Sequence, residues 1–420
     1  MKARLSDRQA RVEAERCLGC FDAPCTAACP AQIDIPGFIA MVRSGNPIGA
    51  AEVVRSSNAL ANVCGKVCPQ EVFCQARCTR AKQDTSIAIR ALHYYATQKE
   101  VERGHSLPRP FEPNGKSAGV VGGGPAGLSC AFALARLGYR VDLYDRRLPG
   151  GVPGRSIPSY RLSGEDVRSD IDFISRFVGF HQEEVGRASL IALEKRHDAL
   201  FIGIGLGVDR KLPLPGANLP GVVPVLDFLE SAREGRNALQ GERVVIVGGG
   251  NVSLDAAATA QRMGYREVVL IYRRGEKEMR VWTSEREEAR GAQILFFTSP
   301  VEIIGPDRVR GVRCCRTRLS DRLDATGRPL PVEIEGSEFV LECDAVITAI
   351  GQIAGGELLD LFERTAQGRL KVDHLLATSR PGVFAGGDCV GGEGTIVQSV
   401  ADGKNAAASM HRYITRGSDR

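Results

Sequence analysis

Eight of the chain's 13 cysteines fall in two runs near its start. The first run is Cys17-x2-Cys20-x4-Cys25-x3-Cys29, closing on Pro30, and the second is Cys64, Cys68-Pro69, Cys74 and Cys78. Where thiols are kept reduced, cysteines gathered this way bind metal and do not pair as disulfides. Structural zinc usually shows C-x2-C pairs a dozen or more residues apart, which is a poorer match. A four-cysteine run closing on Cys-Pro is an iron–sulfur pattern, although that pattern has a shorter gap between its second and third cysteines. In two-cluster arrangements the last cysteine of a run serves the other cluster, so two clusters are the stronger reading.

A second chemistry is carried by glycine. Gly122-Gly123-Gly124-Pro125-Ala126-Gly127 matches G-x-G-x-x-G. The first glycine permits a tight turn, the second lets backbone approach a pyrophosphate, and the third lets helix pack on strand. An apolar strand precedes the turn, and a helix follows with Leu128, Phe132 and Ala135 on one face. Gly138 is placed to end that helix. Tyr139–Tyr144 reads as the next strand, and Asp145 falls about twenty residues past the glycines, where a ribose hydroxyl needs an acceptor. The theme recurs at Gly248-x-Gly250-x-x-Ser253, covering Gly249, Gly250, Asn251 and Val252. Here the next strand, Val268–Tyr272, ends in Arg273-Arg274 in place of an acid. A guanidinium there can pair bidentately with a 2′-phosphate, which favours NADP over NAD.

Around these turns the chain must build two strand–helix–strand units. Residues 97–116 read as a polar, Pro-rich linker between the cysteine segment and the first unit. Asp198–Gly207 and Cys343–Gln352 are apolar strands ending in glycines, which place Leu206, Ala349 and Gly351 near the bound nucleotides. Thr395–Ile414 reads as a closing helix with Ile396, Val400, Ala407 and Ile414 on its buried face. The expected fold class is α/β: an N-terminal α-helical two-cluster domain, then two Rossmann-like domains, one inserted in the other. The expected boundaries are 1–116 for the clusters, 117–224 with 351–420 for FAD, and 225–350 for NAD(P)H.

A net charge of +5 with 25% charged residues calls for no nucleic acid. No apolar run approaches a membrane span, and the opening residues lack the apolar core of a signal peptide, so a cytoplasmic location is expected.

The segments ERCLGCFDAPCTAACPAQIDIPGFI and VCGKVCPQEVFCQARCTR strongly resemble the N-terminal domain of the dihydropyrimidine dehydrogenase family, including its bacterial electron-transfer subunit. The glutamate synthase small subunit has a related, more distant version. The resemblance implies that Cys17, Cys20, Cys25 and Cys78 hold one [4Fe-4S] cluster, and Cys29, Cys68 and Cys74 three corners of the other. Cys64 matches a family cysteine that is not a ligand. The family's fourth corner is a glutamine; here Ile87–Thr97 puts His93 in its place. Imidazole does ligate iron in Rieske centres. The alternative is a hydrogen-bonded histidine, with Cys64 or solvent completing the site.

The same resemblance implies that Gly150-Gly151 and Arg161, in IPSYRL, cover FAD. PGVFAGGDCV resembles the flavoprotein signature in which an aspartate, here Asp388 after Gly387, bonds the ribityl chain; Thr395 and Ile396 follow it. YRRGEKEMR resembles the family's NADPH segment, with Arg280 a third phosphate contact. Disulfide reductases of this architecture keep a cysteine pair beside the flavin, but residues 150–161 hold none. The clusters are then the natural acceptors from FAD, and no sequence is left over for a substrate-reducing barrel. The resemblance implies an NADPH-dependent electron-transfer subunit whose partner is an FMN-containing catalytic subunit that reduces uracil or thymine. The rivals are a glutamate synthase small subunit and, outside the enzymes, a redox-sensing module.

Overall fold

The computed structural model describes residues 4–104, 111–237, 239–324, 327–391 and 394–417. They form two compact units. The first comprises Met1–Gly154, Ser159–Gly207 and Ala354–Arg420; the second comprises Arg155–Pro158 and Val208–Ile353.

The first unit begins with helices Asp7–Glu15, Pro24–Ala27, Ile35–Arg43, Pro47–Ser57, Ala61–Val67 and Ile89–Arg103. Local chemistry starts them. Ser6 and Gln9 form a reciprocal capping box, while Asp34 and Asn46 accept from the amides of Gly37 and Gly49 and are followed by proline in the first turn. Phe38, Ile39, Val42, Val54, Leu92 and Ala96 form the buried faces. The last of these helices corrects one expectation. Residues 97–103, read as linker, continue it to Arg103, where Gly104 ends it at φ +88°. Glu100 looks solvent-facing by composition, yet it is buried because its carboxylate accepts from Arg55 Nε at 2.6 Å. Residues 105–110 of the expected linker lie outside the described residues.

Next comes a parallel five-stranded sheet in the order Val383–Ala385, Ala199–Ile202, Ser117–Val121, Arg140–Asp145, Gly179–Gln182. The closing helix, Ile396–Gly417, lies against helix Pro125–Arg136. Ser129 Oγ donates to Val400 O at 2.7 Å, and a Cβ on Gly403 would stand 2.1 Å from Ala126 O. Val397 is buried in its first turn, while Ile396, expected on that face, is half-buried.

The second unit has its own parallel five-stranded sheet, in the order Val222–Pro224, Ala345–Ala349, Arg243–Gly248, Glu267–Tyr272, Gln293–Phe296. It also carries an antiparallel sheet of Thr298–Ile304, Gly311–Leu323, Pro329–Glu333 and Phe339–Glu342, which the sequence did not announce. Register shifts at Pro300/Glu302 and Leu319/Leu323 break the alternation that would have marked these strands.

Candidate cofactor sites

The eight N-terminal cysteines line two neighbouring chambers. Cys17, Cys20, Cys25 and Cys78 face one, walled by Ile35, Ile39 and Ile87. Cys29, Cys68 and Cys74 face the other, with Cys64, His93 and Val397. Ile35 and Ile89 line both and so form the partition. Among the described residues, no three His, Cys, Asp or Glu side chains are grouped so as to hold a single metal ion. Burial pushes the Cys25 thiol up to about 11 and the Cys64 and Cys74 thiols up to about 12. Thiols held this way lose their protons only when a cationic centre compensates them, which is what cluster iron supplies.

His93 fits the same test. Its ring is buried and hydrogen-bonds the backbone of Ala61, while Nε2 has no partner. Burial drives its pKa down to about 4, so the imidazole is neutral and keeps a lone pair for iron. The helix whose Ala61 backbone meets its ring is anchored from a distance. Asp170, with no solvent exposure, accepts from the amides of Asn62 at 3.1 Å and Val63 at 2.9 Å. It thereby caps helix Ala61–Val67, which has no side-chain cap of its own and runs into Cys68. Asp170 also takes Arg55 Nη1 at 3.2 Å. Nothing in the residues around Asp170 marks it, because its partners lie more than a hundred residues away.

The cradle expected to hold the flavin is built by close backbone approach. Gly122 sits at φ +106°, and a Cβ there would lie 2.5 Å from Gly203 O. A Cβ on Gly127 would stand 1.8 Å from Gly122 O, so only glycine lets the helix meet the strand. Asp145 Oδ2 accepts from Gly123 N at 2.6 Å, and Gly150 N donates to Gly123 O at 2.8 Å. Gly151 lies over Gly124, its Cβ position 2.8 Å from Gly124 Cα. Gly124 caps the helix, with Pro125 and Ala126 in its first turn. Arg161 and Leu206 are half-buried. Gly387 N donates to Asp402 Oδ2 at 2.9 Å, and burial raises the pKa of the neighbouring Asp388 carboxyl. Thr395 Oγ1 accepts from Gln398 N at 3.3 Å, capping the closing helix just before Ile396.

In the second unit, Gly248 lies beside Ala349 in register. A Cβ on Gly249 would strike the Tyr272 ring at 2.1 Å, whereas Gly250 is open. Asn251 begins the helix, its side chain accepting from Trp282 N at 2.9 Å, and Val252 is exposed. Ser253, in the third glycine position, donates to Gly250 O at 2.6 Å. Gly351 adopts φ +105° and accepts from Arg210 N. Arg273 and Arg280 are exposed, but Arg274 is buried.

The sequence profile described as "Pyridine nucleotide-disulphide oxidoreductase" matches residues 116–403, and that described as "Dihydropyrimidine dehydrogenase domain II, 4Fe-4S cluster" matches residues 1–105. The glutamate synthase [NADPH] small chain of Azospirillum brasilense is 35% identical, covering 98% of this chain and 90% of that one. The chain belongs to the glutamate synthase small-chain-like family of pyridine nucleotide oxidoreductases. Within this family, the NAD-dependent dihydropyrimidine dehydrogenase subunit PreT of Salmonella typhimurium is 34% identical over 96% of this chain and 94% of its own length. The NADP(+)-dependent formate dehydrogenase subunit beta of Moorella thermoacetica is 35% identical over 94% of this chain, which spans 60% of that relative's length. Mycobacterium tuberculosis FprA in complex with NADPH shares the fold over 73% of this chain and 86% of that one, with a TM-score of 0.62 at 20% identity. Membership makes this chain an oxidoreductase with FAD, NADPH and two [4Fe-4S] clusters as cofactors. No helix among the described residues is long and apolar enough to cross a membrane.

Proposed function

We propose that this chain is the electron-transfer subunit of an NADPH-dependent dihydropyrimidine dehydrogenase. The reading places FAD in residues 117–224 and 351–420, NADPH in residues 225–350 and the clusters in residues 1–116. Cys17, Cys20, Cys25 and Cys78 would hold one cluster, and Cys29, Cys68, Cys74 and His93 the other. Bound FAD would supply the chemistry that converts the two-electron donor NADPH into single electrons for the clusters.

One observation supports this route most directly. Val397, in the first turn of the closing helix, lines the chamber of Cys29, Cys68, Cys74 and His93. That helix starts at Thr395–Ile396, in the flavin cradle. Lys404 of the same helix donates to Ala31 O at 2.5 Å, next to Cys29-Pro30, which fixes helix and chamber together. The other chamber's cysteines are all partly exposed, so an electron would leave from there. The partner in this reading is a cytoplasmic FMN-containing subunit that reduces uracil or thymine; the DAPC and YRRGEKEMR segments support it over the glutamate synthase assignment.

The near-full-length match to the Azospirillum small chain supports the second reading, a glutamate synthase small subunit. Reconstitution separates the two. The purified chain with NADPH should reduce artificial dyes but not uracil, and it should support uracil reduction once an FMN-containing dihydropyrimidine dehydrogenase subunit is added. Support of a glutamate synthase large chain instead would move the assignment to the second reading.

A further inference from the structure

The end of strand Glu267–Tyr272 holds more positive charge than its own sequence shows. Arg274 is 2% exposed, and its guanidinium is already committed: Nη2 donates to Asp324 Oδ2 at 2.6 Å and Nε to Pro329 O at 3.0 Å. A ligand phosphate has no access to it. Arg273, next in the chain, is exposed, while its carbonyl is tied to Thr317 Oγ1 at 2.9 Å. These contacts bring the hairpin of Gly311–Leu323 and Pro329–Glu333 alongside the strand end. Asp324, at its turn, also accepts from Arg328 N at 3.1 Å and pairs with Arg328 Nε at 3.6 Å. One carboxylate thus joins Arg274 to Arg328. Partial desolvation of its guanidinium first, then the charges of Arg274 and Arg328, lower the Arg273 pKa. Arg273 is exposed and Arg328 half-buried, so two guanidiniums besides the buried Arg274 stand at this strand end, a pair of the kind that binds a phosphate monoester dianion.

We propose that Arg328 is a specificity-determining residue that holds the 2′-phosphate of NADPH jointly with Arg273. Arg274 is a positioning residue that acts through Asp324 and does not touch the phosphate. The inference rests on the reading of residues 225–350 as the NADPH domain. It differs from the resemblance, which implies that Arg274 itself contacts the phosphate.

The test is calorimetry on the full-length, FAD-loaded chain with 2′,5′-ADP and 5′-ADP. Arg328→Ala should weaken 2′,5′-ADP about ten-fold or more, the loss of one charge-assisted pair, and weaken 5′-ADP far less. Arg328→Lys should recover part of that loss, because a point charge lacks the fork. Asp324→Asn should lower the ratio of the two affinities, which a purely structural role would leave unmoved. Unchanged 2′,5′-ADP binding in Arg328→Ala, or equal weakening of both ligands, overturns the proposal alone. A wild-type chain that does not distinguish the two ligands overturns the NADPH reading with it. If Arg328→Ala does not fold, Arg328→Lys carries the test and must bind 2′,5′-ADP more weakly than the wild type.

Discussion

Replacing Asp170 with alanine tests how the fold holds the His93 chamber. Asp170 has no solvent exposure and accepts four hydrogen bonds, from Asn62 N, Asn62 Nδ2, Val63 N and Arg55 Nη1, at 3.1, 3.1, 2.9 and 3.2 Å. In Asp170→Ala two amides of helix Ala61–Val67 lose their partner. Arg55 keeps Glu100 Oε2 at 2.6 Å and its stacking on Phe173 at 4.3 Å, but loses one of two buried counter-charges. Breaking a buried pair of this kind costs about 3–5 kcal/mol. Expressed locally, that raises the open population of the helix by about 10²- to 4 × 10³-fold, at about 1.4 kcal/mol per factor of ten. Hydrogen-exchange mass spectrometry over residues 61–67 reads this directly. Because Ala61 bonds the His93 ring and the helix ends at Cys68, iron should also be lost from that chamber while the Cys17, Cys20, Cys25 and Cys78 set keeps its own. Asp170→Asn retains an acceptor and should fall between. Unaltered exchange over the helix in Asp170→Ala, with full iron content, would refute the anchoring role.

Three further outcomes follow from the sites. Gly127→Ala forces a Cβ to within 1.8 Å of Gly122 O, a clash costing about 1–3 kcal/mol, so FAD affinity measured by fluorescence should fall roughly ten-fold. His93→Gln, the family residue, should keep about eight iron per chain, whereas His93→Ala with Cys64→Ser should keep about four; full iron in the double variant would remove His93 from the ligand set. Arg273→Ala should raise KM for NADPH about ten-fold or more with a much smaller effect on NADH, and equal effects would mean that the arginine serves the fold.

Much of this was legible in the sequence because it is local. Residues 122 to 127, the helix behind them and Asp145 follow a pattern that backbone sterics impose over some twenty-five residues. The helix starts at Asp34 and Asn46 likewise carry their own chemistry. What escaped depends on distant partners. The polar stretch 97–103 looked like linker because nothing nearby shows that Glu100 is buried on Arg55. The Arg273-Arg274 pair looked equivalent until the hairpin, itself hidden by register shifts, brought Asp324 onto only one of them. Asp170 is an ordinary surface-helix acid by sequence, and only the packing of its helix against Ala61–Val67 gives it a function.

In the proposed function, NADPH electrons pass through the flavin to the clusters. Anaerobic mixing of the purified chain with NADPH in a stopped-flow spectrometer tests it most directly, with samples frozen for electron paramagnetic resonance. Loss of the flavin band should be followed by loss of the broad cluster absorbance and by signals from reduced clusters. A flavin that reduces and passes electrons to added dye, while both clusters stay oxidised, would contradict the account.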